Sequence, residues 1–124
     1  MIQKIRLFLL LEAAGFAAAS LIHSGILISG YEHAQARIAE GVIAAVLFAA
    51  LLFSMVRQEW TRPVGLAAQG FALMGTLVGL FTIAVGIGPR TVPDLTYHAV
   101  IVVVLVWGLI ITARAPSLAA GPRR

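Results

Sequence analysis

Glu12 and His23 are the only side chains that can ionise within the first apolar stretch of the chain, which runs from Leu7 to Ser29. They are 11 residues apart, and at ~100° per residue this spacing returns them to within about 20° of the same helix face. An ionised carboxylate that faced lipid would be costly, so this face is predicted to look into protein or water. A carboxyl group and an imidazole in such a place can exchange protons or bind a cation.

Each predicted helix offers one polar side chain at a depth similar to that of Glu12. Gln69 is predicted to lie closest in depth to Glu12, and the two are our candidate residues for handling a proton or cation. Ser54 and Thr112 are assigned to the same layer. The alternative is a protonated Glu12 that is hydrogen-bonded to Gln69 or a serine and only holds helices together.

A second polar group is predicted near the opposite membrane surface, and we call it the outer polar cluster. It comprises His23, Glu40, His98, His33, Tyr97 and Asp94. One interpretation is ordinary polar decoration of the membrane boundary, because no recognised ligand spacing is present. The others are a divalent metal held by His23, Glu40 and His98, or a haem held by two histidines. The chain has no cysteine, so thiolate ligands and disulfides are excluded.

The composition is that of an integral membrane protein. Hydrophobic residues make up 60% of the 124 residues and charged residues 11%, against roughly 25% charged residues in a soluble domain. The length leaves no room for a second domain, so residues 1–124 are predicted to form a single transmembrane domain. The basic residues flank apolar runs, which argues against nucleic-acid binding. No nucleophile motif is visible, and we do not expect an enzyme.

Four spans are predicted, and their short connections make each helix return antiparallel beside the one before. The predicted fold is therefore an all-α, up-down-up-down bundle of four transmembrane helices, with Asp94 as the N-cap of the last. Gly75 and Gly79 are predicted to allow close helix packing, within the chain or between subunits. The tail from Arg114 to Arg124 is expected to be loose. The spans cover residues 7–29, 38–56, 64–88 and 94–113.

The flanking charges predict the orientation in the membrane. Seven Lys and Arg residues flank one side of the spans, whereas only Arg37 and Arg90 flank the other. By the positive-inside rule, both termini are cytoplasmic in a bacterial inner membrane. Lys4 and Arg6 also imitate the start of a signal peptide, but Glu12 would interrupt its apolar region. The seven are Lys4, Arg6, Arg57, Arg62, Arg114, Arg123 and Arg124.

The chain length, the four spans and Glu12 in the first span resemble the small multidrug resistance transporters. That resemblance implies an antiparallel dimer that exchanges protons for cationic drugs through Glu12. The glycine- and tryptophan-containing pattern of that family's third span is missing, because the only tryptophans are Trp60 and Trp107. The charge bias also argues against insertion in both orientations.

Two further segments, His23-Ser24-Gly25 and Gly30-Tyr31-Glu32-His33 with the following Ile38-Ala39-Glu40, look like those of small four-span bacterial inner-membrane proteins of unassigned function. This resemblance implies no activity. The first functional hypothesis is thus proton- or cation-linked membrane transport. The alternatives are a metal- or haem-binding redox or accessory subunit and a structural subunit of a membrane complex. The expected partners are the lipid bilayer and either further copies of the chain or a larger complex.

Overall fold

The computed structural model describes residues 1–118, and within them the chain forms four long α-helices. These are α1 (Ile2–His23), α2 (Ala34–Val56), α3 (Thr61–Ala84) and α4 (Val92–Arg114). Each is long and apolar enough to cross a membrane, and no strand occurs in this part of the chain. The predicted all-α bundle of four helices is confirmed, and the protein is a small multi-pass membrane protein.

Consecutive helices pack side by side, and α4 closes the bundle by packing against α1. One fully buried apolar residue from each helix contributes to the centre: Leu9, Leu47, Ala72 and Leu105. Large apolar side chains are exposed on all four helices, as expected of a surface that faces lipid. The bundle therefore has an interior in which polar side chains are shielded from that surface.

The first helix differs from the predicted span at both ends, because it begins at Ile2 and ends at His23. Gly25 and Gly30, both with positive φ, turn the chain after it. The backbone N–H of His33 then donates to the carbonyl of His23 at 3.0 Å. Residues 24–29 are therefore part of the connection, although their apolar character extended the predicted span to Ser29.

The third helix ends at Ala84, four residues before the predicted boundary. Gly86 has a φ of 89° and reverses the chain. The Arg90 guanidinium donates to the carbonyls of Ile83 at 2.8 Å and Ala84 at 3.0 Å. A cation at this position satisfies the last carbonyl groups and suits the negative end of the helix dipole.

The N-cap of α4 is Thr91, so the prediction of Asp94 was wrong by one helical turn. The Thr91 hydroxyl accepts from the Asp94 backbone N–H, and the Asp94 carboxylate accepts from the Thr91 backbone N–H in return. This capping box places Asp94 at the third helical position, where its carboxylate can also face the bundle interior. The tail from residue 119 onward, with Arg123 and Arg124 of the charge count, lies outside the described residues.

Candidate proton-handling site

His23 lies between two carboxylates that come from different helices. Its Nδ1 is 2.7 Å from Glu40 Oε2 on α2, and its Nε2 is 2.9 Å from Asp94 Oδ1 on α4. All three side chains are buried. We call Glu40, His23 and Asp94 the carboxylate–histidine triad. It joins three helices at the end of the bundle that is opposite to the chain termini.

The two carboxylates of the triad differ in how fully they are hydrogen-bonded. Asp94 Oδ2 accepts from both the backbone N–H and the hydroxyl of Thr91, so both oxygens of Asp94 have partners. Glu40 has one partner, His23, on Oε2, and Oε1 has none among residues 1–118. The triad therefore has one open carboxylate oxygen.

The protons of the triad can be counted from these contacts. When both ring nitrogens of His23 donate, the ring is an imidazolium and the triad carries one net negative charge. One more proton on Glu40 Oε1 makes the triad neutral, and no heavy atom has to move. Such a group can accept and release a proton within an apolar bundle.

The other members of the predicted outer polar cluster lie around the triad, and each of them makes different contacts. His98 Nδ1 is 2.7 Å from the Asp94 carbonyl on its own helix. His33 accepts from the backbone N–H of Ala36 at 3.1 Å and so caps α2. Tyr97 packs edge-on against the ring of Phe16, and its hydroxyl is buried without a hydrogen-bond partner. Of the predicted cluster, only His23, Glu40 and Asp94 are joined by hydrogen bonds between side chains, whereas the His33 ring packs edge-on against His23 and the Tyr97 ring against His98.

The predicted metal site at His23, Glu40 and His98 is not formed. No group of three or more His, Asp or Glu side chains within the described part of the chain is arranged to hold a metal ion. The physical reason is that both ring nitrogens of His23 already contact carboxylates, which leaves no lone pair for a metal. The same contacts leave His23 without a free nitrogen for a haem iron.

Glu12 and Gln69 form a second buried polar group, closer to the chain termini. Gln69 Nε2 donates to Glu12 Oε1 at 3.0 Å and to Oε2 at 3.2 Å. The Thr112 hydroxyl lies 2.7 Å from Gln69 Oε1 and 2.8 Å from the Gly108 carbonyl, and it can donate to one of them at a time. This glutamate–glutamine pair links α1 with α3, and Thr112 adds α4. Ser54 is bonded to Arg6 instead, although the sequence placed it in the same layer.

The two polar groups are separated along α1 by 11 residues, or about 16 Å at a ~1.5 Å rise per residue. Two buried hydroxyl groups of the described residues lie in the layer between them. The Thr76 hydroxyl donates to the carbonyl of Ala72 on its own helix, and Tyr97, which packs on Phe16, has a buried hydroxyl without a partner. The other buried side chains of this layer are apolar: Ala13, Phe16, Ile43, Leu47, Ala72, Ile101 and Leu105. No continuous polar path therefore joins the two groups among the described residues.

No family model matches the chain, and no curated protein or solved structure gives a significant match. Sequence reasoning named all three residues of the triad but did not foresee that Asp94 and Glu40 share one imidazole. The capping box at Thr91 was the missed signal, because it fixes which way Asp94 faces.

Proposed function

We propose that the protein is a small proton-linked membrane transport protein. The observation that carries the proposal is the burial of the His23 imidazole between the Glu40 and Asp94 carboxylates. Ionisable side chains in a membrane-spanning bundle are costly and usually serve a pathway or a relay. A structural role alone would be served at lower cost by apolar packing of similar volume.

The apolar layer between the two polar groups favours a carrier over an open channel. A proton on the triad has no continuous polar path to Glu12 within this arrangement of the described side chains. A proton could therefore cross the apolar layer only if the helices changed their packing or if water entered the layer. Both changes are typical of alternating access, in which a site opens to one side at a time.

The test is proton flux into vesicles that contain the purified protein and a pH-sensitive dye. Guanidinium, Na⁺ and K⁺ are present on both sides, so that a cation is available for exchange. We expect the parent protein to dissipate an imposed pH gradient and His23→Gln to be reduced to the rate of protein-free vesicles. Parental flux in His23→Gln, or no protein-dependent flux at all, would contradict the proposal.

His33→Asn is the matched control. It removes a histidine of the same end of the bundle that is outside the triad, and asparagine preserves the N-cap of α2. Its flux should equal that of the parent. A similar loss in both variants would show that folding, and not the triad, determines the flux.

The proposal includes an orientation in a bacterial inner membrane with both termini in the cytoplasm. It is supported by the charge bias of the sequence, with seven Lys and Arg against two. The triad would then lie toward the outer surface and Glu12 toward the cytoplasm. A reporter fused after Arg124 should be cytoplasmic, and one inserted at Gln35 should be outside. Equal amounts of both orientations would instead support the dual insertion that the transporter resemblance implies.

A further inference from the structure

A cavity of about 160 Å³ lies beside the triad, between α2, α3 and α4. Its polar lining includes Glu40, Tyr97 and His98, and its apolar lining includes Phe16 and Ile43. Gly75 and Gly79 form part of its wall on α3. An engineered apolar cavity of about 150 Å³ holds benzene, so this space is large enough for one six-membered ring.

Two side chains that line this cavity, Glu40 and His98, offer hydrogen-bond acceptors. His98 Nδ1 contacts a backbone carbonyl, which can only accept, so Nδ1 carries a hydrogen, and Nε2 is the acceptor of that tautomer. Glu40 Oε1 is an acceptor that has no partner within the described part of the chain. Within residues 1–118, the fully buried side-chain atoms without a hydrogen-bond partner are Thr61 Oγ1, Arg62 Nε and the Tyr97 hydroxyl. Glu40 Oε1 and His98 Nε2 also lack a partner there but are not among these atoms, so both keep some accessible surface.

The threonines of the cavity do not supply donors either. The Thr76 hydroxyl donates to the Ala72 carbonyl and the Thr82 hydroxyl to the Gly79 carbonyl. The Tyr97 hydroxyl is a buried donor without a partner among the described residues, and the exposed Gln35 adds a side-chain amide to the lining. The His33 ring also lines the cavity, and its Nε2 is 3.3 Å from the Ile87 carbonyl. A ligand that pairs with the acceptors Glu40 Oε1 and His98 Nε2 must itself bring N–H donors, and the Glu40 carboxylate favours a positive charge on it.

We infer that this cavity binds a small organic cation with N–H donors, such as an ammonium or amidinium group attached to one ring. The ring would contact Phe16 and Ile43, and the N–H groups would donate to Glu40 Oε1 and His98 Nε2. A quaternary ammonium ion lacks these donors and fits the site poorly. The inference rests on the proposed function, because it names the class of molecule that proton-linked transport would move.

Benzamidine is a suitable probe, because it has one ring and a planar amidinium with N–H donors and stays charged at neutral pH. Benzamide has nearly the same shape without the charge, and phenyltrimethylammonium has the charge without the N–H groups. Calorimetric titration of the full-length protein in a neutral detergent gives the affinity of each. We expect benzamidine to bind at least about tenfold more tightly than either, since a charge-assisted hydrogen bond is worth roughly that factor.

Two variants test whether the binding occurs in this cavity. Glu40→Gln keeps an acceptor for His23 but removes the charge, and it should weaken benzamidine binding about tenfold or more. Gly79→Ala would place a Cβ 3.3 Å from His98 Nε2 and should also weaken binding. Gly70→Ala is the matched control on the same helix, because its Cβ would meet no atom within 4 Å. It should bind benzamidine as the parent does.

Benzamide binding as tight as that of benzamidine, or parental affinity in Glu40→Gln, would overturn the inference. Equal loss in Gly70→Ala and Gly79→Ala would do so too, because the cavity would not be the site. The binding is measured without a membrane or a gradient, so it fails separately from the proposed function. Proton flux without benzamidine binding removes only the inferred ligand class, and binding without flux removes only the transport proposal.

Discussion

The amide nitrogen of Gln69 lies within hydrogen-bond distance of both carboxylate oxygens of Glu12, at 3.0 and 3.2 Å. This contact crosses the bundle from α1 to α3, and both side chains are fully buried. The Gln69 carbonyl oxygen is 2.7 Å from the Thr112 hydroxyl, which adds α4 to the network. Glu12 is therefore the acceptor that completes a network of three helices.

The network predicts different outcomes for two substitutions at Glu12. Glu12→Ala leaves the Gln69 amide hydrogens buried without an acceptor and should destabilise the protein by about 1–3 kcal/mol. Glu12→Gln keeps an acceptor oxygen and should cost less, while removing the group that can ionise. Thermal unfolding in detergent measures the first effect, and proton flux in vesicles measures whether Glu12 takes part in transport.

The control for Glu12 is Glu59→Gln, which removes a surface carboxylate paired with Arg57. Exposed ion pairs contribute little, so its unfolding should match that of the parent. If Glu12→Ala unfolds at the parental temperature, the network does not contribute to stability. If Glu12→Gln also keeps the parental proton flux, Glu12 has no part in transport.

Gly108 lies on α4 at the point where this helix passes directly beside the Glu12–Gln69 network, and we predict that the network requires a glycine there. A Cβ at Gly108 would clash with Glu12 Oε1 and would lie 2.6 Å from Gln69 Nε2. Both atoms are held by hydrogen bonds and cannot give way freely. We expect Gly108→Ala to destabilise the protein by about 1–3 kcal/mol, the usual cost of overpacking.

Gly70→Ala again serves as the control, because a Cβ there meets open space. It should leave stability unchanged or raise it by up to about 1 kcal/mol, since alanine favours a helix interior. The comparison is made by thermal unfolding in the same detergent. Equal stability of the two variants would show that α4 does not approach Glu12 as closely as described.

The capping box of α4 couples local helix stability to the triad. Thr91→Ala removes the hydroxyl that accepts from the Asp94 N–H and also donates to the Asp94 carboxylate. We expect a loss of about 1 kcal/mol in unfolding free energy, with Thr91→Ser close to the parent. Unfolding of all three proteins under one condition checks this. A serine variant as unstable as the alanine variant would mean that the hydroxyl is not the stabilising group.

Much of the architecture could be predicted because a membrane imposes simple rules. Apolar runs of about 20 residues and short connections determine a four-helix bundle with antiparallel neighbours. Helix ends were less predictable, because Ile26, Leu27 and Ile28 are apolar but lie in the turn after Gly25. Hydropathy measures affinity for lipid and does not report backbone conformation.

The candidate site was predictable in its residues but only partly in its pairing. Glu12 and Gln69 were matched by depth, and the structure joins them. His23 and Glu40 are also joined, but the third partner is Asp94 and not the predicted His98. Depth along a helix follows from residue number, whereas the direction of a side chain near a helix end depends on the cap, here Thr91.

The two carboxylates of the triad should respond differently to neutralisation, because only one of them has a free oxygen. Asp94 uses Oδ1 for His23 and Oδ2 for Thr91, so Asp94→Asn disturbs the start of α4 and should mainly lower the unfolding temperature. Glu40→Gln keeps the contact with His23 but cannot take a proton on the former Oε1. It should therefore abolish proton flux with little change in unfolding. The opposite pattern, with flux lost in Asp94→Asn and kept in Glu40→Gln, would place the exchanged proton on Asp94. It would contradict the inference that the free oxygen of Glu40 takes the proton.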